Sequence, residues 1–208
     1  MQLSSRLEHL ILKPETSFLF TSNIDKNQIT NRNYLIFSTG IVTFRSWERW
    51  TFSSSAMLTR RAPSIDHLFS DGPHLGTYSY EIGQPNLDKE NTFGLETSLE
   101  HNTKKSDFRF TLYNNYSPNK HNSMALGNEY VPGADYIEWG SGSAGWLYKY
   151  QMDDHRVSIY GLETELKYKL ANSINLFGSI STIRGQNLSD NIPLAYMPPD
   201  KYLFSTEV

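Results

Sequence analysis

In Val157-Ser158-Ile159-Tyr160-Gly161-Leu162-Glu163-Thr164-Glu165-Leu166-Lys167-Tyr168-Lys169-Leu170, the residues Tyr160, Leu162, Thr164, Leu166, Tyr168 and Leu170 alternate with Gly161, Glu163, Glu165, Lys167 and Lys169. A repeat of two belongs to a strand with one apolar and one wet face, since a helix would bring its apolar positions round every three to four residues. The run is longer than the ~5–6 residues usual for strands of globular proteins. It matches the ~9–11 needed to cross a bilayer at a tilt.

Moving outward, the same pattern recurs. Phe93, Leu95, Thr97 and Leu99 alternate with Gly94, Glu96, Ser98 and Glu100, and after the polar turn 102–107 Phe108, Phe110, Leu112 and Tyr116 alternate with Arg109, Thr111, Tyr113 and Asn115. A link this short makes an antiparallel pair. A second pair is 155–170 with 172–184, joined at Ala171-Asn172-Ser173, and a third is 34–44 with 50–59, turning at Ser46-Trp47-Glu48-Arg49. Weaker strand signals at 3–12 and 201–208 bring the total to about eight. Between the pairs lie long links at 13–31, 60–90, 117–154 and 185–200, rich in Pro, Gly, Asn, Asp and Tyr. Short turns at one rim and long loops at the other are the pattern of an antiparallel transmembrane β-barrel with its long loops outside the cell. Trp47 and Trp50 at a turn, and Tyr113 and Tyr116 where a strand meets a long link, suit interfacial girdles. A soluble β-sandwich shares the alternation. Strand length and loop asymmetry favour the barrel.

Composition agrees with this. Only 38% of the 208 residues are hydrophobic, yet there are 13 Tyr, 11 Phe and 4 Trp. Strands that alternate lipid-facing and water-facing residues dilute their own hydropathy, so a mean hydropathy of -0.52 does not exclude a membrane protein. A formal charge of -3 offers no basic surplus for nucleic acid. Without cysteine there is neither a disulfide framework nor a thiolate metal site. No apolar run reaches the ~18 residues of a transmembrane helix. The opening Met-Gln-Leu-Ser-Ser-Arg lacks the features of a secretory signal, which leads us to expect a natural N-terminus further upstream.

One segment carries a family likeness. Thr59-Arg60-Arg61-Ala62-Pro63-Ser64-Ile65-Asp66-His67-Leu68-Phe69 and Gly83-Gln84-Pro85-Asn86-Leu87-Asp88-Lys89-Glu90 resemble the "RAPS..ELF" and "GNP.L..E" loop signatures of TonB-dependent receptors, with Gln84 in place of the usual Asn. The matching positions are Arg61, Ala62, Pro63, Ser64, Gly83, Pro85, Leu87 and Glu90. Tyr160-Gly161-Leu162-Glu163 looks like the family's "YGFE" strand start, and Pro198-Pro199 stands where the family has a Pro-Pro before a descending strand. The resemblance covers 59–208 by motif and 1–58 by pattern. It implies a barrel of about 22 strands around a plug domain, placed in the outer membrane of a Gram-negative bacterium, importing a scarce nutrient with energy passed by the TonB complex. Residues 1–208 would then be an interior block of about eight strands, without the plug or the closing strands.

The expected ligands are a metal, metal chelate, siderophore or haem, and the His-Leu-Phe-Ser-Asp-Gly-Pro-His run looks closest to the zinc and metal-uptake branch. Imidazoles and carboxylates on outer loops are the chemistry that holds zinc and similar ions. That makes Asp66, His67, Asp71, His74 and Glu81 candidates, with Asp153, Asp154 and His155 on the next loop, and His67 and His74 the candidate metal ligands, zinc being cargo rather than cofactor. Solvated loop side chains are the plainer reading of each. Arg60 and Arg61 are placed to meet lipopolysaccharide phosphates or Asp66, and Glu96, Glu100, Glu163, Glu165, Lys167 and Lys169 to line the lumen. No nucleophile elbow, phosphate loop or HExxH pair is present, so no catalysis is expected. A passive porin and a soluble binding module remain as alternatives.

Overall fold

Eight long strands make one continuous wall in the computed structural model, which describes residues 1–14, 23–126, 136–138 and 146–208. They are β1 (Gln2–Leu12), β2 (Arg32–Trp47), β3 (Trp50–Arg61), β6 (Glu90–Asn102), β7 (Ser106–Ala125), β9 (Trp146–Ala171), β10 (Ile174–Asn187) and β12 (Lys201–Glu207). Four short strands accompany them: β4 (Asp71–His74), β5 (Ser79–Ile82), β8 (Tyr136–Glu138) and β11 (Ile192–Pro193). All pairings are antiparallel except β5 on β9, which is parallel. Among the described residues no helix is long and apolar enough to cross a membrane.

Register turns the alternation into two faces. Leu99, Phe110 and Thr164 stand in one row across β6, β7 and β9, and Glu100, Arg109 and Glu165 in the next. The first face continues through Leu95, Leu112, Leu166, Tyr168, Leu176, Tyr202 and Phe204, all of them exposed. An apolar surface spanning so many strands is far larger than a soluble monomer leaves in water, and it needs a non-aqueous neighbour. On the other face the Arg109 Nε donates to Glu100 Oε1 at 2.9 Å, while Asp107 stands opposite Lys167. Opposite charges placed directly across a strand pair stabilise the register.

Short turns close one rim. Trp47 pairs directly with Trp50 around Glu48-Arg49. At the β6–β7 turn the Thr103 hydroxyl accepts from the Ser106 and Lys105 backbone N–H groups at 2.8 and 3.1 Å.

The other rim differs from the sequence reading in two places. The link expected over 60–90 is not structureless: it folds as a short helix α1 (Ile65–Phe69) followed by the hairpin β4–β5. Nor does the wall stop at Tyr116. Pro118 has no N–H to give a ladder and suggests a strand end, but it sits in a bulge between Ser117 and Lys120, where proline is tolerated, and β7 runs on to Ala125. Tyr113 and Tyr116 therefore lie in the body of a strand. Asp153, Asp154 and His155 are likewise inside β9, opposite Asn122, His121 and Lys120, rather than on a loop. The parts of the expected long links at 15–22, 127–135 and 139–145 lie outside the described residues. Pro198-Pro199 does precede the final strand, β12.

Candidate functional site

The segment between β3 and β6 folds back over the end of the wall, and its sequence explains how. Ala62 and Pro63 are buried, Ala62 packing with Tyr34 and Ile36 of β2. Ser64 has an extended backbone and its hydroxyl accepts from the His67 N–H at 3.2 Å, so it caps α1. Leu68 points inward and is fully buried. Gly83 lies against this helix: a Cβ there would come within 2.6–2.7 Å of the Leu68 and Phe69 backbone, and its N–H donates to the Ser70 carbonyl at 2.7 Å. Pro85 and Leu87 are buried beyond it, and the Pro85 carbonyl accepts from the Arg32 guanidinium at 3.0 Å. A second apolar cluster, Ile24, Ile29, Tyr80, Ile82 and Leu147, seats the hairpin.

Both ends of the segment are locked by one carboxylate. Glu90 is buried, with Arg61 donating from Nη2 at 2.6 Å and Nε at 3.1 Å, and Lys120 donating from Nζ at 2.8 Å. Arg61 thus pairs with Glu90 and not with Asp66. Replacing Glu90 with Gln leaves two cations around a neutral amide. Arg61 is 62% exposed and partly rehydrates, so the loss is expected near the lower end of the range for a broken buried pair, about 3 kcal/mol. In the E90Q protein, limited proteolysis should cut within 62–89 at a protease dose that spares the parent. Equal protection would show that this carboxylate is not the lock.

The candidate ligand residues separate into several groups. His74 Nδ1 lies 2.9 Å from Glu81 Oε1 across the hairpin, with the Thr77 hydroxyl at 3.0 Å. Asp71 is engaged inside the fold, accepting from the Asn23 N–H and side-chain amide at 3.0 and 2.7 Å and from the Tyr80 hydroxyl at 2.9 Å. His67 lies edge-on to His121 of β7, ring centroids 5.6 Å apart. His155 Nδ1 comes within 3.1 Å of Asp190 Oδ2, without the alignment of a hydrogen bond. Among the described residues no three His, Asp or Glu side chains form a group able to hold a metal. Burial, then the neighbouring His121 and Arg61, hold the His67 imidazole below its usual range, and burial lowers His121 also. His121 and Lys120 were not foreseen from sequence. They come into view only once Ser117-Pro118-Asn119 is recognised as a bulge instead of a strand end.

The family model for the TonB dependent receptor-like β-barrel matches residues 5–207. This chain belongs to that family. The copper transporter OprC shares the fold over 98% of this chain with a TM-score of 0.75 at 19% identity. The siderophore receptor PirA from Acinetobacter baumannii aligns over 84% at 12% identity and a TM-score of 0.52. That from Pseudomonas aeruginosa aligns over 77% at 15% identity and 0.50. Likeness at these identities establishes fold alone. The chain spans 28%, 26% and 29% of those three proteins respectively. No curated protein matches its sequence. Within the TonB-dependent receptor fold, the motif positions Arg61, Ala62, Pro63, Ser64, Gly83, Pro85, Leu87 and Glu90 are the framework that folds the loop onto the wall.

Proposed function

We propose that residues 1–208 form a block of barrel wall in an outer-membrane receptor that imports a scarce nutrient: a metal, a metal chelate, a siderophore or haem. The family match carries this reading. It is supported by the apolar face, whose natural neighbour is lipid, and by the copper transporter and siderophore receptors among the similar structures. On this reading the polar face of Glu96, Glu100, Arg109, Glu163 and Glu165 looks onto a plug, through which the TonB complex supplies energy. Arg60 has the parity of the apolar face at the loop end of β3, where lipopolysaccharide phosphates lie. The hairpin side chains His74 and Glu81, together with Asp66 and the Asp153–His155 stretch, belong to the surface that first meets the ligand. Zinc or a similar ion would be cargo.

Deleting the gene that encodes these residues tests the reading. Growth under chelator-imposed metal limitation is expected to fall, and uptake of labelled metal or ferric siderophore to drop to the level of a tonB-deficient strain. Uptake that needs this gene but continues unchanged without TonB would mean a passive pore instead.

A further inference from the structure

His121, on β7 at the loop–wall junction, has no exposed side-chain surface. Its Nε2 lies 2.8 Å from the Asp88 carbonyl oxygen. A carbonyl only accepts, so Nε2 carries the hydrogen, and a neutral ring then presents Nδ1 as a bare lone pair. That atom is buried and has no hydrogen-bond partner. Beside it, at 4.0 Å, is Glu90 Oε2, another acceptor. In the adjoining ring, His67 Nδ1 is also buried without a hydrogen-bond partner.

The two imidazoles, 5.6 Å apart between centroids, thus each present a buried nitrogen with no hydrogen-bond partner. A backbone carbonyl clamping the far nitrogen is the device that orients metal-binding histidines. Charge permits a cation here, since Asp66, Glu90 and Asp154 act on these rings against Arg61 and the adjacent Lys120. We propose that His67 and His121 together bind one late first-row divalent ion, of the zinc or copper kind, which ties α1 to β7. Glu90 is held by Arg61 and Lys120, so the protein supplies two nitrogens and water completes the shell. Binding should accordingly be micromolar rather than the tighter binding of a closed four-ligand site. The ion is resident in the loop anchor, so this site stands or falls independently of what the receptor imports.

The test uses the full-length receptor in detergent, stripped with chelator and titrated calorimetrically with zinc chloride or copper sulfate. Relative to the parent, H67A and H121A should each weaken one site by about tenfold or more. H74A should leave that site unchanged, because His74 faces Glu81. Undiminished binding in H67A and H121A overturns the proposal. Copper EPR of the unmutated protein at one equivalent guards against variants that misfold: coupling to two imidazole nitrogens is expected, and coupling to fewer overturns the assignment.

Discussion

Residues 1–208, produced alone and refolded into detergent, are expected to give aggregates or a polydisperse mixture rather than a monomeric barrel. Among the described residues, β1 pairs only with β2 along Gln2–Leu12, and β12 only with β10 along Lys201–Glu207. The outer edge of each strand therefore presents backbone N–H and C=O groups that no other described strand meets. In water such edges recruit other chains. In a bilayer each unsatisfied group costs several kcal/mol, which is why spanning sheets close on themselves. The apolar face adds to the problem, because detergent covers it but leaves the edges open. Size-exclusion chromatography with light scattering, together with gel mobility before and after boiling, reads the outcome. A single monodisperse species that shifts on heating would show that these strands satisfy themselves, and the reading as a block within a larger wall would fall.

Valine or alanine at Gly161 should prevent normal assembly of the wall, the largest single-residue effect expected here. Gly161 lies on the polar face of β9, between Tyr113 of β7 and Ile183 of β10. The Tyr113 ring rests across it: a Cβ built there would come within 2.7 Å of the ring carbon Cζ and would also collide with the Thr182 carbonyl. The ring can swing away; the carbonyl belongs to the ladder and cannot. Overpacking commonly costs about 1–3 kcal/mol, and a clash with ladder backbone belongs at or above the top of that range. Shortening Tyr113 to Ala should rescue G161A only in part, because the carbonyl remains. Folded receptor in the membrane fraction and its urea midpoint provide the measurement. A G161A receptor with an unchanged midpoint would mean that the strands spread at no cost.

The parity of β6, β7 and β9 was legible directly, because a period of two is a local property: Leu166 and Glu165 face opposite ways whatever surrounds them. The short turns read at 46–49, 102–107 and 171–173 were legible too, because each is a brief polar break between two alternating runs. Loop architecture was not. Whether Pro118 ends β7 or is absorbed in a bulge depends on β9 arriving opposite it, and nothing within a few residues of Pro118 records that arrival. Asp153-Asp154-His155 reads as a hydrated strand start until the extension of β7 pairs with it.

The chain by itself determined the all-β alternation, the pairing of adjacent strands and the family likeness carried by the Arg61–Glu90 segment. Tertiary structure alone decided what those motif residues do and which histidines meet. Arg61 and Glu90 are 29 residues apart, and His67 meets a ring from a strand beyond them. Such pairings follow from the folding of the loop onto the wall, a long-range event whose partners are selected by shape and burial and leave no periodic trace in the sequence.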